Sequence, residues 1–371
     1  MESFVLQKWI KPLVKEDTFH DQFAFVPLKG RGCTSALTTI YGKIIQGVDN
    51  NNYVNVMLVD FSKAFDRAIV SKMLDPLVQQ GTSYECLHWL YNFITDRMLR
   101  VNINGSYSEF IRISTGTPQG GVISPILFAF LISTLRPRSN NCFYYKYADD
   151  LTVVHVTKKG EFEDLQAELN HIKTWCTENR MLLNEKKTKI IHVQHRKTQR
   201  KPIIESENST IEVVPEAKLL GVHIHESLKW KVHVTKTIKS ATRYIFHILT
   251  LKRAGCSSNI LETIYHTHIR SRLSYAFPAM CNMPDNLLTL LNKVEKRVYK
   301  IIGQKPSTDL KSFCTKNCET MKENISEYNQ HPYRDLLMSL NTPRLTRSNR
   351  NMTVHSGRTS LYTNSLIKFF I

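Results

Sequence analysis

The sequence predicts an α+β protein built from two unlike halves, a mixed half of strands and helices followed by an all-helical one. Three observations carry that prediction. Apolar runs rich in β-branched and aromatic residues, such as 53–60 and 143–156, fall before about residue 226. From Trp230 onward the apolar residues recur at helical spacing, over 230–254, 258–275 and 285–303. Regular strand–helix–strand alternation is missing, as is a glycine-rich nucleotide fingerprint after the first strand. The seam between the halves is expected near Ser227.

Along the mixed half, residues 4–14 form an apolar, helix-like segment, and a glycine- and lysine-rich loop follows at 27–33. Thr34 or Ser35 is expected to cap the next helix, whose apolar face is Leu37, Ile40, Tyr41, Ile44, Ile45 and Val48. A turn at 49–52 leads into the β-rich run that ends on Asp60. Helices follow over roughly 69–80 and 84–95, then a hairpin centred on Asn104-Gly105. After the loop at 114–121, Ser124 and Pro125 read as N-cap and first position of a helix reaching about Leu135. Next come the hairpin around Asp149-Asp150, a helix over 161–180 and a strand near 190–193. A basic linker to about residue 210 and strands at 211–214 and 218–222 complete this half. The last sixty or so residues are polar and weakly periodic.

Composition narrows the function. With 371 residues, 42% hydrophobic and 22% charged, the chain can bury a core and divides into two or three domains. No apolar run reaches membrane-spanning length, and the first residues lack the basic-then-apolar order of a signal peptide. The eight cysteines are scattered through helix-like and strand-like patterns, which fits reduced thiols of an intracellular protein. Fifty Lys+Arg against thirty-two Asp+Glu give a net charge of +18, which points to a polyanionic partner. The excess gathers at 195–201, at 229–253 and after Arg344.

Asp149 and Asp150 sit side by side between two apolar strands, an arrangement that loses hydration and sets like charges together. A tight turn alone accommodates such a pair. If the strand ending on Asp60 is a neighbour in the same sheet, three carboxylates meet at one edge. That set suits divalent cations, Mg²⁺ above all, with Mn²⁺ as a substitute. Two such ions activate an attacking hydroxyl and stabilise the leaving oxygen of an in-line phosphoryl displacement.

Three segments now line up: VMLVDFSKAFD at 56–66, GTPQGGVISPILF at 116–128 and YADD at 147–150. In order and separation they resemble motifs A, B and C of reverse transcriptases. LNEKKT at 183–188 resembles motif D, and KLLGV at 218–222 with Trp230 resembles motif E leading into the thumb. Ala148 and the wording of the first motif resemble the non-LTR, LINE-type retrotransposon enzymes more than group II intron maturases, as do His331-Pro332 and Arg358 with 362–365. The resemblance covers roughly 19–371.

It implies a right-hand polymerase with partial fingers (1–55), a palm (56–226), a helical thumb (227–305) and a basic C-terminal segment (306–371). The implied activity is RNA-directed DNA synthesis on an RNA template and DNA primer with dNTPs, in cytoplasm and nucleus, without an obligate protein partner. Asp60 and Asp149 would hold both metals, Asp150 would assist and the Phe61 carbonyl would complete one shell. Phe65 would lie under the sugar and exclude a 2′-hydroxyl, unless it is a core phenylalanine. Gln119 would face the incoming nucleotide, with Gly120 and Gly121 allowing close backbone approach. Lys187, with Lys186 beside it, would protonate departing pyrophosphate. Arg31, or Lys29 in the same loop, would grip the triphosphate. Leu220 and Gly221 would grip the primer, and Lys231, Lys236, Lys239 and Arg243 would follow the duplex.

Cys314, Cys318 and His331 suggest zinc but lack a fourth ligand. Finger strands before Phe4 and an endonuclease domain have no counterpart here, so the resemblance implies a fragment or a 5′-truncated element copy. The rival expectation is a catalytically inactive relic that retains only nucleic-acid binding.

Overall fold

The computed structural model describes residues 1–158, 161–193, 200–207, 209–328 and 331–334. The basic stretches at 195–199 and after Arg344, and the segment from Arg358 to Ser365, lie outside them.

The chain opens with α1 (Glu2–Val5), a π turn (Leu6–Ile10) and a 3-10 turn (Lys11–Leu13), then α2 (Cys33–Asp49) and β1 (Tyr53–Val59). Helices α3 (Ala64–Arg67), α4 (Val70–Gln79) and α5 (Tyr84–Ile94) follow. Two short ribbons come next, β2 (Arg97–Leu99) with β5 (Ile111–Ile113), enclosing β3 (Asn102–Ile103) with β4 (Ser106–Tyr107). Asn104 and Gly105 both hold positive φ, +50° and +88°, as a two-residue hairpin turn with left-handed central positions demands. Helix α6 (Ser124–Ser133) precedes the hairpin β6 (Cys142–Tyr147) and β7 (Asp150–Thr157). The half ends with α7 (Glu163–Glu178), β8 (Lys189–His192), β9 (Glu212–Val213), β10 (Glu216–Leu219) and β11 (Val222–His225). The helical half holds α8 (Lys231–Arg253), α9 (Ser258–Tyr265), a π turn (His266–Arg270), α10 (Ser271–Leu273), α11 (Asp285–Ile302) and α12 (Leu310–Glu327).

The central sheet runs β6-β7-β1-β8-β9. Its pairs are antiparallel except β8 with β9. β1 therefore lies beside β7, with Val59 opposite Leu151. Alternation along β1 sends Val54 and Val56 to one core and Met57 and Val59 to the other. The first core runs from α2 across the sheet into the helical half; the second joins the sheet to α4, α5, α6 and α7. Each fully buried aliphatic side chain contributes about 1.5–3 kcal/mol, so both faces of the sheet are firmly held.

Four expectations need correction. Helix α2 starts one residue before Thr34, at an N-cap of Gly32, and Ser35 donates its hydroxyl to the Gly32 carbonyl from inside the helix. Ser124 likewise lies inside α6, after an N-cap of Ile123, and its hydroxyl donates to the Pro118 carbonyl at 2.6 Å. Residues 310–327 are polar yet form an 18-residue helix, because Leu310, Cys314, Cys318, Met321 and Ile325 line one buried face. The span expected as one strand at 218–222 is the end of β10, a turn at Leu220-Gly221 and the first residue of β11, in a hairpin separate from the central sheet.

Candidate active site

Asp60 is the residue after β1, and Asp150 opens β7. The register that pairs Val59 with Leu151 continues to bring Asp60 beside Asp150, with Asp149 in the two-residue turn next to it. The sheet order thus gathers three carboxylates at one edge. Partial burial pushes the Asp149 carboxyl above its ordinary value, and the Asp60 charge adds to this. Burial does the same to Asp150, reinforced by Asp149 and then by Asp60. All three groups are hard oxygen donors, the chemistry Mg²⁺ favours. Among the described residues no three His, Cys, Asp or Glu side chains already stand as a metal-ligand group.

The loop 182–188 docks directly on the residue after β1. Asn184 donates its N–H to the Asp60 carbonyl at 2.8 Å, and Ser62 donates to the Leu182 carbonyl at 2.8 Å. These two bonds flank the Phe61–Leu183 bridge, so the ladder leaves the Phe61 carbonyl unused. The Phe61 ring itself is buried near Trp175, at 6.2 Å between centroids. Lys187, 70% exposed, brings its ammonium to 3.9 Å from an Asp60 carboxylate oxygen. The neighbouring Lys186 is also exposed.

The loop 114–121 packs on the turn that follows Asp60. Thr117 N–H donates to Phe65 O at 3.0 Å and Gly116 N–H to Ala68 O at 2.7 Å. Arg97 donates to the carbonyls of Thr115 and Gly116, each at 2.7 Å. Gly116 holds φ +74°, and a Cβ there would meet the main chain of Phe65 and Asp66 at 2.7–2.8 Å. Glycine is required at that contact. Gln119 is exposed and donates its amide to Asp66 at 3.2 Å, while Gly120 holds φ +80° in open space. Phe65 is half-buried, stacked on the fully buried Phe128 at 4.3 Å.

Arg31 turns inward. Its guanidinium donates to the His20 carbonyl at 2.7 Å and lies over the Phe23 ring. The Lys29 ammonium lies over Tyr328.

Leu220 and Gly221 form the β10–β11 turn with φ +43° and +87°. This turn borders a cleft of about 510 Å³ lined by Lys218, Gly221, His223, Lys236, Arg272 and Tyr275, among others. Lys236 also pairs with Glu216, which stands outside the lining. Lys231 and Lys239 are exposed but stand outside the lining. The motif reading missed Arg272 and Tyr275, because both come from α10 and its exit, far along the chain. It also missed Gln22, whose side chain reaches the Ala148 turn, and Lys146, fully buried in an ion pair with Asp21 at 2.8 Å. Neither left a periodic signal, though an alternating Lys146 within an apolar strand marked a buried cation in need of a partner.

Cys314 and Cys318 are one turn apart on the buried face of α12, and burial pushes both thiols up to about 12. They behave as apolar core groups, and with His331 they form no ligand cluster among the described residues.

These features define a carboxylate-edged sheet flanked by a cationic cleft, the frame of a nucleotide polymerase. A family model described as reverse transcriptase (RNA-dependent DNA polymerase) matches residues 4–224. The chain belongs to the reverse transcriptase family. It is related to the enzymes of non-LTR retrotransposons. It is 25% identical over 238 residues to the probable RNA-directed DNA polymerase from transposon BS of Drosophila melanogaster, over 59% of this chain and 25% of that protein. To the probable polymerase from the X-element of the same organism it is 23% identical, over 76% of this chain and 31% of that protein. The mobile element jockey polymerase, also from Drosophila melanogaster, is 21% identical over 63% of this chain and 27% of its own length. The chain therefore spans about a quarter to a third of these relatives. Among solved structures, apo telomerase from Candida tropicalis aligns with a TM-score of 0.48 and 13% identity, over 91% of this chain and 57% of that one. No helix among the described residues is long and apolar enough to cross a membrane.

Proposed function

We propose that the chain is the polymerising portion of a non-LTR retrotransposon reverse transcriptase, extending a DNA 3′-OH with dNTPs on an RNA template. The observation that carries this is the meeting of Asp60, Asp149 and Asp150 at one sheet edge, through the pairing of β1 with β7. Residues 1–55 are then partial fingers, 56–226 the palm, 227–305 the thumb and 306–371 a C-terminal segment. Asp60 and Asp149 would hold Mg²⁺, or Mn²⁺, with Asp150 and the Phe61 carbonyl assisting. Bound there, the metal would supply charge neutralisation for the attacking and leaving oxygens.

The remaining work falls to side chains. Lys187 is held at the same edge by its contact with Asp60 and can deliver a proton to departing pyrophosphate. Gln119 and Gly120 leave an exposed surface beside Asp66 against which a base can settle. Phe65 presents its exposed part to the sugar while Phe128 supports the other face. Arg31 would have to release the His20 carbonyl to touch a triphosphate, so its part is to brace the finger loop. The Leu220-Gly221 turn and Lys236 line the cleft where the primer backbone would lie, and Lys231 and Lys239 add long-range attraction.

Primer extension on poly(rA)/oligo(dT) with Mg²⁺, beside Asp149→Asn, tests this reading. Incorporation by the wild-type chain alone is expected, and equal incorporation by both would remove it. A second reading, binding of nucleic acid without catalysis, draws on the net charge of +18 and on the cationic lining of the cleft beside the Leu220-Gly221 turn. It predicts tight, steeply salt-dependent duplex binding with no extension.

A further inference from the structure

We propose that Gln22 is the positioning residue for the Asp149–Asp150 pair, setting its metal affinity by holding the turn that carries it; the metal part rests on the polymerase reading above. Gln22 lies 126 residues from Ala148 in sequence and is fully buried. Its amide oxygen accepts the Ala148 N–H at 3.0 Å, and its amide nitrogen donates to the Ala148 carbonyl at 3.4 Å. The same oxygen accepts the N–H groups of Phe23 and Ala24, both at 3.1 Å, which fixes the side chain itself. One primary amide therefore grips both polar groups of a single residue in the turn.

Ala148 needs that grip. Its φ is +55°, in the left-handed region that a residue with a Cβ rarely adopts. The next residue is Asp149, so any relaxation of Ala148 swings the carboxylates off the edge they share with Asp60. Burial and mutual repulsion act on those carboxylates in the same outward sense. Glycine at 148 would hold the turn more cheaply; alanine relies on an outside partner.

The support around Gln22 is itself rigid. Phe23 donates its N–H to Lys146 O at 2.9 Å, and Lys146 donates its N–H to Asp21 O at 2.7 Å, so residues 21–23 run alongside β6. The buried Lys146 ammonium pairs with Asp21 at 2.8 Å and donates to the Leu135 carbonyl at 2.6 Å. The amide is thus mounted on the strand whose turn it grips. A residue serving only to fill the core would have no need to satisfy the turn's N–H and carbonyl together.

Two measurements on the full chain test the proposal: hydrogen–deuterium exchange over 146–152, and Mn²⁺ titration followed by electron paramagnetic resonance. In the wild type the Ala148 amide should exchange as slowly as those of β7. Gln22→Met keeps the volume and removes all four bonds; it should speed exchange at the turn by about tenfold or more while β1 and α6 are unchanged. Its Mn²⁺ affinity should fall roughly 10–100-fold, as for other groups that orient metal ligands. Gln22→Glu keeps the accepting oxygens and should fall less. Unchanged exchange and affinity in Gln22→Met, fast exchange of the wild-type turn, or equal loosening of β1 and α6 would each overturn the proposal. A wild-type chain that binds no Mn²⁺ would count against the polymerase reading, and the exchange arm, which needs no metal, would still decide the role of Gln22.

Discussion

Tyr275 donates its phenolic hydroxyl to the main-chain carbonyl of Leu220 across 2.8 Å, and a Cβ on Gly221 would lie 3.0 Å from its ring. The bond ties the β10–β11 turn to the exit of α10 and so links the proposed primer grip to the helical half. Tyr275→Phe removes only the hydroxyl. A hydrogen bond of this kind is worth about 1 kcal/mol, so the Kd for an RNA/DNA duplex should rise roughly fivefold with the fold intact. Fluorescence anisotropy at fixed salt measures it, and an unchanged Kd would take Tyr275 out of the grip.

Asp149→Asn and Asp150→Asn should separate stability from function. Both carboxyls have folded pKa values raised above their ordinary range, first by burial and then by neighbouring carboxylates. For groups raised in this way, stability is greatest below the ordinary carboxylate pKa and is lost as pH rises through the folded value. At neutral pH without metal, either variant should melt above the wild type. Adding Mg²⁺ should raise the wild-type melting temperature and leave the variants nearly unmoved. A lower melting temperature for both variants without metal would contradict the electrostatic account.

Gly116 and Gly120 offer a paired test. Both hold positive φ, but only Gly116 has main-chain atoms of Phe65 and Asp66 where a Cβ would sit. Gly120→Ala should cost about 1–2 kcal/mol from its backbone conformation alone. Gly116→Ala adds the close contact and should cost about 1–3 kcal/mol more. Urea unfolding of the two variants checks the difference, and equal losses would mean that the loop 114–121 yields freely.

Three buried histidines set an acid limit on the fold. Burial pulls His155, His233 and His331 down to about 4. An unfolded chain protonates them near the ordinary value of 6.5, so it binds more protons than the folded one between that pH and about 4. Stability should therefore fall as pH drops through this window and stay level above it, as far as these groups are concerned. His155 is held neutral beside Asn55, at 3.1 Å, within the sheet itself. His155→Gln should flatten part of the slope of urea midpoint against pH; an unaltered slope would assign the loss elsewhere.

Much of this molecule was legible in its residues. Strand and helix periods located β1, the Asp149 hairpin and the long helices α8 and α11, because each depends on neighbours a few positions away. Helix α12 escaped because its buried face is built partly from Cys314 and Cys318, in a sequence otherwise polar. The caps at Thr34 or Ser35 and at Ser124 were misplaced by one to three residues, since a hydroxyl can serve a helix end from inside as well as outside.

By itself, then, the sequence determined which carboxylates end their strands, where the glycine loop stands, and which family the motifs belong to. Local spacing encodes these, and no long-range contact is needed to read them. Only the tertiary structure decided that β1 lies between β7 and β8, that Lys187 rather than Lys186 reaches Asp60, and that Arg31 turns inward to His20. The grip of Gln22 on Ala148 and of Tyr275 on Leu220 belongs with these. Such contacts join residues from 11 to 126 or more positions apart. They depend on register and packing, which a one-dimensional pattern of apolar and charged residues does not specify.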